Sequence, residues 1–367
     1  MKVIVLGGAG AMAEVALDEL RKENLDQVTI ADYDKEAADA KARQLGAPFD
    51  SMFLDANDHA ALVKAVAPYD VAMGFIGPFY KYERPIVQAM IEAKTHYVSI
   101  ADDYDAYLAT IGLYDEAEKA GITVITGLGN SPGITNILAK KGYQSMDNPK
   151  RINVNWCGGS DEAVGPANVK HVMHIFSGYT LQWMNSQEVK VKTGMGRKLV
   201  EFPQPVGTYP IFYTGHAESV SIPRNLPGLE EVTLHGGAKP AWISQLATGF
   251  GLMGFTRTPE RRETMSRLLT PLLDLFAAGG VDKSVFRVDT FGTHKGLPCH
   301  NYYTGVGHIA FITSIPCVEG ALMVGRNQLR KRGVFAAEAI INPDTFLPRI
   351  AKRGVELFYY EGMAEKG

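Results

Sequence analysis

The chain has 367 residues, of which 46% are hydrophobic and 21% charged, and its formal net charge is −3. This composition predicts a globular protein of about two domains. It excludes a disordered chain, because the apolar content is ample to offset chain entropy. The near-neutral charge excludes a nucleic-acid-binding protein, whose contact face would be strongly basic.

The cysteines and the apolar runs bear on the compartment. Cys157, Cys299 and Cys317 form neither a disulfide framework nor a C-x-x-C motif, so we expect a reducing, cytoplasmic environment. The apolar run VIVL near the N-terminus is followed at once by glycines, which favours a buried strand over a signal peptide. Residues 308–325 come closest to a membrane span but include Glu319, so no membrane segment is expected.

Strands and helices alternate along residues 1–127. The strands are apolar without alternation, which is typical of strands buried on both faces of a parallel sheet. We therefore predict an α/β Rossmann domain with a doubly wound parallel sheet, in which the loops after the strands meet along one edge. The predicted strands are KVIVLG, QVTIAD, PFDSMFLD, DVAMGFIG, HYVSIAD and ITVITG, and the predicted helices are Met12–Lys22, Lys35–Leu45, His59–Val66, Tyr82–Ala93 and Ala106–Lys119.

The pattern changes after residue 127, where a helix at NSPGITNILAKKG precedes a β-rich stretch. Residues 128–307 are therefore assigned to a second, α+β domain, and the helices of about 308–367 either belong to it or pack back on the first domain. The predicted strands are RINVNW, KHVMHIF, EVKVK, RKLVEF, ESVSI and EVTLH, with a hairpin of SVFRVDTF and HNYYTG. The predicted helices are Pro240–Met253, Pro259–Ala278, His308–Arg332 and Asp344–Arg353.

A G-x-G-x-x-A fingerprint follows the first strand and opens the first helix. Gly8 permits the tight turn, Gly10 lets backbone N–H groups approach a pyrophosphate, and Ala13 keeps the helix close to the strand. In this context the fingerprint predicts a dinucleotide site. The loop residues expected to contact the cofactor are Gly8, Ala9, Gly10, Ala11 and Met12.

The second strand ends in Asp32, at the position where a carboxylate accepts hydrogen bonds from the ribose hydroxyls and repels a 2′-phosphate. The next residues are Tyr33, Asp34 and Lys35, with no arginine. The sequence therefore favours NAD as the cofactor, with NADP as the alternative, and Tyr33 is added to the predicted contacts.

Three further loops follow strands at the same predicted edge. Asp55 and Ala56 are expected near the adenine, although an aspartate here is also a common helix N-cap. The loop Gly77, Pro78 and Phe79 either faces the pyrophosphate and nicotinamide ribose or is a plain turn. Ala101 and Asp102 are expected at the nicotinamide end.

Six stretches, from both predicted domains, carry a family resemblance. They are GGAGAMAEVALDEL, VTIADYDKEAADAKA, THYVSIADD, AGITVITGLGNSPGITNILA, TGHAESVSIPRNLPGLEEV and GVFAAEAIINPDTFLPRIAKRGVEL. In these stretches the chain resembles the saccharopine dehydrogenase-like (saccharopine reductase) family, which includes lysine 6-dehydrogenase. The resemblance implies NAD(P)-linked hydride transfer at a C–N bond of an amino acid, a second domain with a mixed sheet, and a homodimer. Ser131, in the N-S-P-G segment, is included among the cofactor contacts.

The reaction needs a group that takes or gives the amine proton. Lys170 is the nearest match to the lysine of a Tyr-Lys-Phe-Ser-Trp-Ser-like stretch of the family, and its alternative is a surface lysine. If their segment is a strand, His216 and Glu218 point the same way. They are then either a hydrogen-bonded pair in which Glu218 tunes the histidine, or a surface pair on an edge strand. Asp103 either holds a substrate ammonium or caps the following helix.

Two arginines, Arg224 and Arg287, are candidates to bind a substrate carboxylate, which a guanidinium matches with two hydrogen bonds. No metal site is expected, because the strand predicted for KHVMHIF would place His171 and His174 on opposite faces. The expected function is saccharopine-type chemistry on a secondary amine. The alternatives are lysine 6-dehydrogenase-type deamination of a primary amine and a catalytically silent NAD-sensing protein.

Overall fold

The computed structural model describes residues 1–159, 166–256, 258–269 and 280–363. The chain forms two compact units, each from two segments: unit 1 is Met1–Ile134 with Ala310–Asn342, and unit 2 is Thr135–Ile309 with Pro343–Gly367. The last part of the chain is thus divided between the units.

The described residues contain strands and helices with the following bounds. The strands are β1 Lys2–Leu6, β2 Gln27–Asp32, β3 Phe49–Phe53, β4 Val71–Gly74, β5 His96–Ser99, β6 Thr123–Ile125, β7 Asn148–Gly159, β8 Tyr179–Met184, β9 Gln187–Lys192, β10 Lys198–Glu201, β11 Thr208–Tyr213, β12 Glu231–Lys239, β13 Ser284–His294, β14 Leu297–Gly307, β15 Gly333–Phe335 and β16 Glu356–Met363. The helices are α1 Ala11–Leu20, α2 Lys35–Leu45, α3 His59–Val66, α4 Phe79–Ala93, α5 Tyr104–Ile111, α6 Tyr114–Ala120, α7 Ile134–Gln144, α8 Pro166–Ile175, α9 Glu218–Asn225, α10 Trp242–Leu252, α11 Pro259–Leu269, α12 Ile309–Gly325, α13 Ala337–Ile340 and α14 Pro343–Lys352.

Unit 1 contains a seven-stranded parallel sheet in the order β15-β6-β5-β4-β1-β2-β3. The strand order reverses direction beside β1, which confirms the doubly wound Rossmann sheet. Central strands are buried along their length, as for Val71–Gly74, because helices cover both faces. The seventh strand, β15, is three residues long and was not predicted from the sequence.

Unit 2 contains a mixed sheet whose main path is β10-β11-β12-β7-β13-β14-β16, with β8 paired to β12 and β9. The pair β12 and β7 is parallel, whereas β13 pairs antiparallel with both β7 and β14. These pairings confirm the α+β domain with a mixed sheet and the predicted hairpin. The edge strand β16 pairs with β14, and the sequence analysis missed it.

Two segments predicted as strands are helices. KHVMHIF contributes to α8, and ESVSI forms the start of α9. Residues 219–222 alternate polar and apolar side chains in the sequence, which favoured a strand. Residues 218–222 are nevertheless all buried in the helix, and a window of this length cannot separate the two periodicities. Because residues three apart share a face of a helix, the strand-based argument that separated His171 from His174 was wrong.

Smaller differences concern boundaries. The helix predicted to continue to Arg332 ends at Gly325, and the helix predicted for 106–119 is divided into α5 and α6. Part of the helix predicted to reach Ala278 lies outside the described residues. Within those residues, no helix combines the length and the apolar character that crossing a membrane requires.

Candidate active site

The turn between β1 and α1 depends on glycine. Gly7 has a φ of +74°, and a Cβ on Gly8 would lie 2.8 Å from the Ile30 side chain and 3.0 Å from the Val5 carbonyl oxygen. Gly10 is the N-cap residue of α1 and provides no side-chain cap. The first N–H groups of the helix are therefore available to a pyrophosphate, as the fingerprint predicts.

Asp32 is fixed beside this turn. Its Oδ2 accepts a hydrogen bond from the Ala9 backbone N–H at 2.9 Å, and its Oδ1 accepts one from Asp34 N–H at 3.0 Å. Each carboxylate oxygen retains acceptor capacity for a ribose hydroxyl. This geometry is consistent with the ribose role, which stays a prediction.

Two exposed aromatic side chains lie next to Asp32. Tyr33 is 70% exposed and Phe53 is 55% exposed, and their ring centroids are 5.5 Å apart. They follow β2 and end β3, respectively, so they offer an apolar surface of the kind on which an adenine stacks. Tyr33 was among the contacts predicted from the sequence, whereas Phe53 was not.

The aspartates after β3 have distinct roles. Asp55 accepts hydrogen bonds from the backbone and side-chain nitrogens of Asn57 at 2.9 and 2.8 Å, which lowers the pKa of the Asp55 carboxyl. Asp58 is the residue that caps α3, through a bond from Ala61 N–H at 3.0 Å. The aspartate that caps α3 is therefore Asp58 and not Asp55, for which a helix cap was the alternative interpretation. No finding tests the adenine contact expected of Asp55 and Ala56.

The loop Gly77, Pro78 and Phe79 leads directly into α4, and Pro78 provides no side-chain cap. The buried Asp103 accepts a hydrogen bond from Tyr80 N–H at 3.0 Å. Its side chain makes no cap bond in α5, so of the two alternatives given for Asp103, the side-chain cap of the following helix was wrong. Asp103 instead fastens the start of α4.

Ser131 lies in a loop built on close backbone contact. A Cβ on Gly133 would lie 2.1 Å from the Gly129 carbonyl oxygen. The neighbouring Asn130 is 6% exposed, and among the described residues its Oδ1 has no hydrogen-bond partner. Asn130 is thus a candidate partner for a cofactor amide that sequence reasoning missed.

Unit 2 gathers aromatic and titratable side chains around His216, which is 5% exposed. The His216 ring stacks on Trp156 with centroids 5.0 Å apart, and its Nε2 lies 3.1 Å from Nε2 of His171. Lys170 precedes His171 on α8 and is half-buried. This group was not expected, because Lys170 and His171 were predicted on a strand.

Glu218 is fully buried at the first position of α9, and its Oε1 accepts a hydrogen bond from the Thr135 hydroxyl at 2.9 Å. The sequence analysis expected His216 and Glu218 to point the same way on a strand, whereas α9 begins between them. Lys170, His216 and Glu218 belong to unit 2, and Asp103 to unit 1. Their catalytic roles stay predictions.

Each candidate carboxylate clamp binds a carboxylate of the chain itself. Arg224 Nη2 lies 2.6 Å from Glu188, and Arg287 Nη2 lies 2.8 Å from Asp289. A substrate carboxylate would compete with these partners. The clamp roles of both arginines are untested predictions.

The family models that match the chain describe a saccharopine dehydrogenase NADP-binding domain, over residues 3–125, and a saccharopine dehydrogenase C-terminal domain, over residues 129–355. Saccharopine dehydrogenase [NADP(+), L-glutamate-forming] of Saccharomyces cerevisiae is 28% identical over 224 residues, covering 57% of this chain and 47% of the relative. The corresponding Schizosaccharomyces pombe protein is 29% identical over 163 residues, covering 43% of this chain and 35% of the relative. The chain thus spans at most about half the length of these relatives.

Among solved structures, the apo saccharopine dehydrogenase (L-Glu forming) from Saccharomyces cerevisiae aligns with a TM-score of 0.72. The alignment covers 98% of this chain and 99% of that chain, at 17% sequence identity. At this identity the likeness concerns the fold, which both units share with the solved structure.

Proposed function

Because the chain belongs to the saccharopine dehydrogenase family, we propose that it is a nicotinamide-dependent oxidoreductase acting on a C–N bond of an amino acid. The observation that carries the proposal is the β1–α1 turn, where Gly8 and Gly10 leave helix N–H groups for a pyrophosphate beside Asp32. We further propose a saccharopine-type secondary amine as substrate, and a cytoplasmic homodimer as the working form.

The nicotinamide supplies the hydride acceptor or donor, so the chain has to bind substrate and cofactor and handle one proton. Lys170, His216 and Glu218 in unit 2, and Asp103 in unit 1, are the proposed proton acceptors or donors. The buried positions of His216, Glu218 and Asp103 support this assignment, because side chains away from water are those whose proton affinity a protein can tune.

Two observations favour different forms of the cofactor. The family model and the curated relatives carry NADP in their names, which favours NADP. The Asp32 carboxylate would repel a 2′-phosphate, and the nearby Lys35 forms an ion pair with Asp39, which favours NAD. We propose that the Asp32 side chain decides whether the chain binds NAD or NADP more tightly.

The test is calorimetric binding of NADH and NADPH to the purified chain, followed by turnover with saccharopine, lysine and other amino acids. We expect binding of at least one cofactor and oxidation of a secondary amine. Binding of neither cofactor would overturn the proposal. Turnover of lysine alone would favour deamination of a primary amine, and tight binding with no turnover across the panel would favour a nucleotide-sensing protein.

A further inference from the structure

The buried face of α4 includes a carboxyl group. Glu83 is fully buried, and it lies on the helix face that also buries Ile86, Val87 and Met90. A carboxyl group in such surroundings is costly unless it is well hydrogen-bonded. In the sequence, Glu83 lies at helical spacing from apolar residues that are buried. This pattern was not used to predict that Glu83 is buried.

Three hydroxyl groups surround the Glu83 carboxyl. Tyr97 Oη lies 3.0 Å from Oε2, while Thr126 Oγ1, at 3.0 Å, and Ser99 Oγ contact Oε1. Tyr97 and Ser99 lie two positions apart on β5, and Thr126 follows β6 directly. Glu83 therefore ties α4 to two neighbouring strands of the parallel sheet.

The first turn of α4 is attached to the same region by the bond from Tyr80 N–H to Asp103. The loop that enters this turn is Gly77, Pro78 and Phe79, which the strand order places after β4 at the carboxyl edge of the sheet. In doubly wound sheets this edge binds the ligand. The position of the loop thus depends on how firmly α4 is held.

We propose that Glu83 is a positioning residue for the nicotinamide cofactor. Through its three hydroxyl partners it holds the first turn of α4, and with it the loop 77–79, in the conformation that binds the cofactor. This inference rests on the proposed function of unit 1 as the cofactor-binding unit.

The protonation of Glu83 gives this role a distinct signature. The titratable groups that face it are Tyr97, Asp103 and Cys317. Burial and the charge of Asp103 raise the pKa of Glu83, against the effect of its hydroxyl partners. The uncharged acid is hydrogen-bonded without a buried negative charge, whereas the ionised form places a charge in the core beside Asp103. Because this charge makes the attachment of α4 less favourable, we expect cofactor affinity to fall as rising pH ionises Glu83.

The experiment measures the dissociation constants of NADH and NADPH for the full chain between about pH 6 and 9, with the KM for cofactor and kcat where a substrate is identified. Glu83→Gln retains the shape and hydrogen bonds of the uncharged acid, so we expect a dissociation constant within about threefold of the wild type, without the alkaline loss. Glu83→Ala should raise the dissociation constant by about tenfold or more and raise KM rather than lower kcat.

Glu92→Gln is the matched control, because Glu92 lies on the same helix with a 58% exposed side chain. Thr126→Val removes one hydroxyl partner of Glu83 at nearly constant shape, and it should also weaken cofactor binding. This variant provides the test if Glu83→Ala fails to fold. Near-wild-type binding by folded Glu83→Ala, or by Thr126→Val in its place, would overturn the inference. So would equal weakening by Glu83→Gln and Glu83→Ala. A wild-type chain that binds neither cofactor would instead overturn the proposed function itself.

Discussion

Asp32 has one observed role, in the glycine turn, and one predicted role, at the ribose, and both follow from its position at the end of β2. Its carboxylate fixes the glycine turn through Ala9 N–H and faces the region where the ribose of a dinucleotide is expected. A carboxylate stabilises ribose hydroxyls and repels a 2′-phosphate, so the charge of this residue should decide between the two cofactors.

We predict that Asp32→Ala weakens NAD binding by about tenfold or more and weakens NADP binding less, because the lost repulsion offsets the lost turn contact. Asp34→Ala is the control, since Asp34 caps α2 through Ala37 N–H at 2.9 Å and its loss should leave the cofactor ratio unchanged. The measurement is the ratio of dissociation constants by calorimetry. An equal loss for both cofactors would contradict a role at the ribose.

A second residue whose charge matters is His235, which is 5% exposed on β12. Burial and the nearby Lys198 charge lower its pKa from 6.5 to about 3. Among the described residues its Nδ1 has no hydrogen-bond partner. The folded state binds this proton less readily than the unfolded chain. The contribution of neutral His235 to the free energy of unfolding is therefore fully present above about pH 6.5, and it decreases as the pH falls towards the lowered pKa.

We predict that the wild type loses up to about 1.4 kcal/mol of unfolding free energy per pH unit below pH 6 from this one histidine. His235→Leu removes that loss, so its stability relative to the wild type should increase as the pH falls. His294→Leu, at a 46% exposed side chain, should show no such trend. Urea unfolding between about pH 4 and 7 measures the effect, and parallel curves for wild type and His235→Leu would refute it.

At the scale of an element, the loop after β6 has no room for side chains where its two ends meet. Gly129 and Gly133 form a β-bridge, and Gly133 has a φ of +126°, which L residues rarely adopt. The backbone contact leaves Asn130 and Ser131 at the apex between the two glycines. The loop conformation is therefore decided by the absence of a Cβ.

Gly133→Ala should destabilise the protein by about 3 kcal/mol or more, because backbone strain adds to a collision with Gly129. Gly121→Ala provides the comparison, since Gly121 has a φ of +75° but no atom lies within 4 Å of the position that its Cβ would take. This variant should cost about 1 kcal/mol. Equal unfolding midpoints in urea for the two variants would show that the close contact is unimportant.

At the scale of the whole molecule, each unit is built from two stretches of chain that are distant in sequence. Val334 of β15 is fully buried in the core of unit 1, which also contains Val124 of β6. Phe346 lies only 12 positions further along the chain by number, and it is fully buried in unit 2. Neighbours in sequence thus stabilise different cores.

We predict that Val334→Ala costs about 2 kcal/mol and raises amide hydrogen exchange in β5 and β6 of unit 1. Phe346→Leu should raise exchange within unit 2 and leave β5 and β6 at their wild-type rates. Mass spectrometry of deuterium uptake by the full chain separates the two patterns. Equal acceleration of β5 and β6 by both variants would contradict the assignment of these residues to separate cores.

Local patterns were sufficient for much of unit 1. Most strands of its parallel sheet contain contiguous apolar runs, although β3 includes Asp50 and Ser51. The glycine turn with Asp32 is encoded within 32 residues of the N-terminus. The second domain was harder, because α8 and α9 contain residues that suit either a strand or a helix. Lys170, His216 and Glu218 were predicted as candidate residues of this domain, but the stacking of His216 on Trp156 joins residues 60 apart in number and has no local signal.

The sequence by itself determined the class of the protein and the position of its dinucleotide turn, because hydrophobic periodicity and glycine spacing act over a few residues. Only the tertiary structure decided that β15 completes the first sheet and that Glu83 lies among three hydroxyl groups. Each of these depends on contacts between segments that are remote in the chain, and the burial that makes such contacts strong exists only after folding.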